Sequence, residues 1–281
     1  MQLTTTDHDR DAVGLTYVYP VLSRRAGGVS IGINLNVNHA CNWRCIYCQV
    51  PDLTNGGPPP VDLPRLETEL RGMLADVLTG DFMARSVPEG LRRLNDIALS
   101  GNGEPTSAAE FAAVVDLVGR ILDEFGLAGR LKVVLISNGS LMHRPAVQAG
   151  LRRLAELGGE VWFKIDRASV EGLRAINHTD STPARVLRNL GHCASACPTW
   201  IQTCVFSVDG EPPAETELAA YLDLLGQALA DGLALRGVML YGLARPSTQP
   251  EAPRLGRLPE DWLTRLAGRL AALGLPVRLF P

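Results

Sequence analysis

Three cysteines, Cys41, Cys45 and Cys48, fall inside the stretch NHACNWRCIYCQ that runs from Asn38 to Gln49. Thiolates are soft ligands, and three of them this close together in sequence can wrap one metal centre. They fill only three positions of a four-position site. Iron–sulfur clusters of the [4Fe–4S] type take four cysteines as a rule. Three therefore leave one iron open to a ligand that is not protein. A Cys3His zinc site is the competing chemistry, because His39 lies two residues ahead of Cys41. Three metal-free structural thiols are a further reading. Against it stands the Asn, Arg and Tyr content of the loop, since unliganded cysteines favour apolar surroundings. Zinc modules usually pair two such knuckles, and the sequence carries no second one.

The elements that must position this loop follow from the pattern on either side of it. Residues 1–28 read as an irregular lead-in. Val29–Val37 is β-branched and apolar with polar alternation, so it is expected to be the first strand, and the cysteines hang from its C-terminal end. Asp62 is placed to cap a helix with Pro64 in its first turn and Leu63, Leu66, Leu70, Leu74 and Leu78 at helical spacing. Strands are then expected at Asn95–Gly101, Leu131–Gly139, Glu160–Asp166, Thr199–Gly210 and Ala234–Leu243. Helical patterns lie between them at Ala108–Phe125, Pro145–Leu157, through Asn177, Pro183–Cys193 and Ala214–Ala230. A Pro-rich linker from residue 244 to about Pro259 leads to a C-terminal helix, Glu260–Leu273, packing on the barrel, and VRLF reads as a seventh strand. Strands alternating with helices of this length imply a mainly parallel sheet. The expected fold is α/β, a partial (β/α)6 TIM-like barrel in a single domain spanning 1–281, with a doubly wound sheet as the competing architecture.

Composition narrows the class. A chain of 281 residues with 46% hydrophobic and 20% charged residues is ordinary for a globular protein with a sizeable core. The net charge of −3 supplies no basic field of the kind that dominates nucleic-acid affinity. No stretch is apolar for the length of a membrane span. The polar, acidic N-terminus does not read as a signal peptide, and six cysteines without one point to a reducing, cytoplasmic setting.

In parallel α/β folds ligands sit at the C-terminal ends of strands. The second strand ends in Gly101-Asn102-Gly103-Glu104-Pro105, where glycines allow close backbone approach and Glu104 offers a carboxylate. A plain Gly-rich turn is the competing reading. The third ends in Ser137-Asn138-Gly139, polar groups suited to hydroxyls or a carboxylate, or simply an Asn-Gly turn. The fourth ends in Lys164 and Asp166, two residues apart and so on one face. They form either a charged pair beside a substrate or a structural salt bridge. A desolvated Lys164 could also form a Schiff base. Asn177 and His178 follow on the same side of the sheet, and the late strands bring Gln202 and Tyr241. Cys193, Cys197 and Cys204 are either core filling or ligands of a second cluster.

The CxxxCxxC spacing with Tyr47 before its last cysteine, followed one strand later by SGNGEP, resembles the radical SAM superfamily. The resemblance runs from Tyr19 to about Ser247. More narrowly, Ser23-Arg24-Arg25, CNWRCIYCQ, SGNGEP, SNGS, Asp166 and Asn177 are similar to the branch containing the tRNA wyosine-synthesis enzymes. The resemblance implies a [4Fe–4S] cluster on Cys41, Cys45 and Cys48 whose open iron chelates S-adenosylmethionine. It implies contacts to that cofactor from Gly101, Asn102, Gly103, Glu104, Pro105, Ser137 and Asn138. Tyr47 and Tyr241 fall on its adenine side, and substrate lies near Lys164 and Asp166. One electron from a flavodoxin or ferredoxin then yields a 5′-deoxyadenosyl radical that abstracts hydrogen. The absence of cysteines before Cys41 and the acidic balance turn the substrate expectation from tRNA toward a small molecule or peptide. A non-catalytic iron–sulfur sensor and a Cys3His zinc module remain as readings from other classes.

Overall fold

The computed structural model describes residues 2–4, 14–23 and 27–280. One eight-stranded sheet carries the molecule, and its strands lie side by side in sequence order. They are β1 (Val18–Ser23), β2 (Gly28–Ile33), β3 (Leu94–Leu99), β4 (Lys132–Ser137), β5 (Glu160–Lys164), β6 (Thr199–Cys204), β7 (Leu235–Tyr241) and β8 (Val277–Phe280). Every pair is parallel except β1 with β2. The order is linear with β1 and β8 at its edges, so the sheet curls into an open partial barrel, as the alternation of elements predicts.

The helices are α1 (Leu63–Thr79), α2 (Phe82–Ser86), α3 (Phe111–Glu124), α4 (Pro145–Glu156), α5 (Val170–Asn177), α6 (Pro183–Ala196), α7 (Glu215–Ala230) and α8 (Glu260–Ala271). Alternation along β5 shows how one strand serves two layers. Val161 and Phe163 are fully buried in the main hydrophobic core that the helices share, while Glu160, Trp162 and Lys164 fall on the opposite, concave face. The apolar stripe of α1 behaves similarly: Leu66, Leu70 and Leu74 have no exposed surface. Leu78 does not join them and is 42% exposed. A four-residue spacing rotates about 40° per step around a helix of 3.6 residues per turn, so three steps carry Leu78 off the buried face. Val77 takes its place in the core. The Asp62 cap is present, its Oδ1 accepting from the Arg65 amide at 3.0 Å.

Three expectations change. Residues 1–28 are not wholly irregular: β1 forms an antiparallel edge beside β2. The rest of that lead-in at 5–13, with Arg24 and Arg25, lies outside the described residues. The first parallel strand stops at Ile33, because the Asn34 and Asn36 side chains bond backbone beyond it. The strand expected at Thr199–Gly210 breaks at Val205, and Ser207–Val208 pairs instead with Leu255–Gly256 from the expected linker.

β1 owes its place to one carboxylate far along the chain. Glu69 on α1 accepts the amides of Thr16 (2.9 Å), Tyr17 (2.7 Å) and Val18 (3.2 Å), and the Arg65 Nε donates to it at 3.0 Å. Tyr17 and Val18 are buried, so no water can replace this acceptor. Glu69→Ala is therefore expected to destabilise the fold by about 2–4 kcal/mol through two orphaned amides. Urea unfolding measures this as a lower midpoint, and an unchanged midpoint would show that β1 is held by something else.

Candidate active site

A cavity of about 330 Å³ occupies the concave face of the sheet toward the C-terminal ends of its strands. Cys41, Cys45 and Cys48 share its wall with Gly101, Gly103, Glu104, Asn138, Lys164 and Tyr241. The structure thus brings these sequence-predicted groups to one place, although they come from five segments of the chain, while Pro105, Ser137 and Asp166 are buried and do not line the cavity.

The cysteine loop is fixed from both flanks. On one side its backbone bonds the end of α5, Arg44 N to Asn177 O at 3.2 Å and Ile46 N to Ile176 O at 2.9 Å. On the other, the segment expected as a linker folds over it. Ser247 Oγ donates to Ile46 O (2.8 Å), the Thr248 amide to Cys48 O (3.0 Å) and Gln249 Nε2 to Val50 O (3.0 Å). An Arg44–Glu251 ion pair at 2.6 Å closes that contact. Trp43, Ile46, Tyr47 and Val50 point inward and are buried, which leaves the three cysteines only partly covered. Burial nonetheless pushes the Cys41 and Cys45 thiols up to about 12. Without a metal they are neutral thiols at pH 7.

The strand end at Gly101–Glu104 meets this loop at van der Waals limits. A Cβ on Gly103 would sit 2.1 Å from the Ala40 carbonyl oxygen and 2.6 Å from Asn36 Nδ2, so only glycine fits against the residue preceding Cys41. Glu104 is fully enclosed. Its Oε1 accepts from the Thr106 amide and hydroxyl and from Ser137 Oγ (2.7 Å), and its Oε2 from the Asn138 amide (2.7 Å). Burial pushes its pKa up, against the pull of those donors. Glu104 thereby ties the end of β3 to the end of β4. Asn138 carries the tie onward, donating through Nδ2 to Asn42 Oδ1 at 2.9 Å in the cysteine loop. Pro105 is buried in a short 3-10 turn, and the Asn102 amide donates to Asn34 Oδ1 at 3.0 Å.

Lys164 and Asp166 stand together at the end of β5, with Nζ 3.8 Å from Oδ1. The Asp166 side chain has no exposed surface. It accepts from Tyr47 OH, Asn177 Nδ2 (3.0 Å) and the Cys204 amide (3.0 Å). Lys164 Nζ lies 3.1 Å from Tyr241 OH and 4.8 Å from the centroid of the Tyr47 ring, a cation–π arrangement. Burial is the largest influence on the Lys164 pKa and pulls it down, but Asp166, Tyr241, Cys45 and Cys204 together outweigh it, so the net shift is upward. That direction favours the ammonium form of Lys164.

Other sequence candidates fall elsewhere. His39 does not join the cysteines as a ligand; its Nδ1 lies 3.0 Å from Pro51 O, and among the described residues no three Cys, His, Asp or Glu converge as one metal ion needs. His178 caps α5 in a left-handed conformation (φ +47°) beside Arg44, off the cavity wall. Cys193 and Cys197 are core residues near Thr199 and Gly159, whereas Cys204 does reach the cavity wall, packed with Tyr47 and Phe206. The cavity also takes in groups the sequence did not single out, Ser30 and Asp96. The Ser30 hydroxyl donates to Asp96, whose pKa burial raises. Their only sequence signal is a polar side chain at an inward-facing strand position.

A UPF0026 protein of Helicobacter pylori is 28% identical over 138 residues, which cover 47% of this chain and 38% of that protein. The chain thus spans well under half the length of that curated relative. Among solved structures, TYW1 with a lysine–pyruvate adduct bound superposes with a TM-score of 0.57 at 17% identity, over 86% of this chain and 73% of that one. A radical SAM methyltransferase from Sphaerobacter thermophilus gives 0.55 at 17% identity, over 94% and 69%. At such identities the superpositions establish a shared fold. The family match itself runs from residue 35 to residue 222, more than half of the chain and across the whole cysteine loop, the Gly-rich strand end and the Lys164–Asp166 pair. This chain belongs to the radical SAM superfamily of enzymes.

Proposed function

We propose that Cys41, Cys45 and Cys48 hold a [4Fe–4S] cluster whose remaining iron takes S-adenosylmethionine, and that the substrate is a small molecule or a peptide segment. The observation that carries this reading is the placement of three cysteines on the wall of one cavity together with the Gly101–Glu104 strand end. His39, the fourth ligand a zinc site would need, has its Nδ1 3.0 Å from Pro51 O instead. When bound, the cluster and adenosylmethionine supply a 5′-deoxyadenosyl radical able to abstract hydrogen from a carbon. Electrons come from a low-potential carrier such as a flavodoxin or ferredoxin.

The chain's own residues bind, orient and exclude water. Backbone groups of Gly101–Pro105 approach the cysteine loop closely enough to receive a ligand ammonium, with the Glu104 carboxylate beneath them. Ser137 and Asn138 act by holding Glu104 and Asn42 in place, since their side chains are already engaged there. The Lys164 ammonium is oriented by Tyr241 and Tyr47 and serves as the anchor for a carboxylate or phosphate. Asp166 keeps that cation charged. The tyrosine rings form the apolar, adenine-side wall.

Toward the inner end of the cavity stand Asp96, Trp162 and Gln202. Gln202 pairs in register with Lys164, is 2% exposed and lines the cavity. Polar side chains at such positions offer donors and acceptors to a substrate. The net charge of −3 gives a tRNA no attractive field, which favours a small molecule or a peptide segment.

Anaerobic reconstitution should therefore load the chain with iron and sulfide. Dithionite-reduced protein incubated with adenosylmethionine should release 5′-deoxyadenosine. Cys41→Ala, Cys45→Ala or Cys48→Ala should each reduce that product to background. Zinc without iron points to the zinc module, and a cluster that leaves adenosylmethionine intact points to the sensor. A second variant tests the cradle. Gly103→Ala should cost about 1–3 kcal/mol by overpacking against Ala40. Its iron retention should fall although circular dichroism still shows a folded chain, and full retention would remove Gly103 from the site.

A further inference from the structure

We propose that Asn177 sets the reduction potential of the cluster by donating a hydrogen bond to the Cys45 sulfur, with Asp166 as the anchor that fixes the donor. This rests on the reading of Cys45 as a cluster ligand. Asn177 is the last residue of α5, has no exposed surface, and lies 132 positions from Cys45 in sequence. Its Nδ2 stands 3.2 Å from Cys45 Sγ and 3.0 Å from Asp166 Oδ2. The two protons of one amide group are thus divided between a sulfur and a buried carboxylate.

The orientation of that amide is not arbitrary. Its oxygen, Oδ1, is buried and has no hydrogen-bond partner. Turning the amide over would place this oxygen against Asp166 and Cys45, both acceptors when ionised, and would leave the NH2 group unpaired instead. The fold keeps one unsatisfied buried acceptor so that both protons reach their targets. Nor does the loop need this bond to stay in place, because the backbone amides of Arg44 and Ile46 already join it to α5. Among the described residues, Cys45 is the one member of the trio whose sulfur receives a side-chain N–H. Cys41 Sγ has as its side-chain neighbour Asn42 Oδ1, an acceptor, at 3.9 Å.

Hydrogen bonds to ligand sulfurs are among the factors that set iron–sulfur potentials. Reduction adds negative charge that spreads onto the thiolates, and a donor at Cys45 stabilises that form. Asn177 therefore raises the potential and makes the cluster easier to reduce. It is a positioning residue: it touches the ligand, not the substrate.

The experiment is a redox titration, followed by electron paramagnetic resonance, of the reconstituted wild type, Asn177→Leu and Asn177→Ser. At the potential where the wild type is half reduced, the ratio of reduced to oxidised cluster should fall about tenfold in Asn177→Leu, a shift of about 59 mV for one electron. Asn177→Ser, too short to reach the sulfur, should fall in the same direction. In wild type, an exchangeable proton coupling to the reduced cluster should appear by electron–nuclear double resonance and vanish in both variants. A midpoint that is unchanged or higher in the variants overturns the inference, as does a wild-type cluster with no exchangeable coupling at all. Lower melting temperature or lower iron content with an unaltered midpoint marks a purely structural residue and overturns it equally. Failure of the wild type to take up iron and sulfide is a different result, and it removes the cluster reading itself.

Discussion

A carboxylate with no exposed surface organises the mouth of this barrel. Asp166 receives a hydroxyl from the cysteine loop, an amide from the end of α5 and a backbone N–H from β6, and it faces the ammonium of Lys164 on its own strand segment. An unpaired buried charge costs several kcal/mol, so these partners are mutually dependent. Remove one and the remainder must rearrange around the charge. That dependence aligns Tyr47, and through it the residue just before Cys48. It also aligns Asn177, and through it the sulfur of Cys45. The same carboxylate leads the groups that raise the Lys164 pKa against burial.

Glu104 has the corresponding role at the neighbouring strand ends. It joins β3 to β4 through four donors, and Asn138 extends the connection to Asn42. Function in such folds resides on loops that carry little apolar surface, so hydrophobic packing cannot hold them. Here buried carboxylates and amides do that work, and the segment from Arg245 to Glu251 adds a strap of side-chain and backbone bonds over the outer edge. The core beneath supplies rigidity; the polar ties supply position.

Which of these features the sequence revealed follows from how local their signals are. Period-two alternation in β5 and the Leu66–Leu74 stripe in α1 are short-range patterns, and both marked real elements. The cysteine spacing and the glycines at 101 and 103 are equally local. What stayed hidden depends on pairs distant in the chain. β1 pairs with β2, and its start is held by acceptors that Glu69 supplies some fifty positions later. Asn34 and Asn36 looked like the polar half of a strand, whereas they leave it to hold the turns at Ala40 and Asn102. The stretch around Ser247 has the proline content of a linker and no periodicity, yet it contacts the cysteine loop from about 200 positions away. Sequence placed Asn177 on the right side of the sheet but gave no sign of its two partners.

The charges around the cavity give these ties a common purpose. Burial pushes the Cys41 and Cys45 thiols up to about 12 and raises Asp96 and Glu104, so the wall resists negative charge. A thiolate-ligated centre requires the opposite, because each cysteine must give up its proton to bind metal. Two neighbours oppose the burial at Cys45: the Lys164 charge and the hydrogen bond from Asn177 both lower its pKa. Neither is free to drift, since Asp166 holds the one by Coulomb attraction and the other by a hydrogen bond. A single carboxylate, itself an unwelcome negative charge, thus fixes the two groups that make a second negative charge tolerable at the sulfur. Removing the Asp166 side chain would release both at once, so the placement of the groups around the middle cysteine of the trio depends on a residue that makes no hydrogen bond to it.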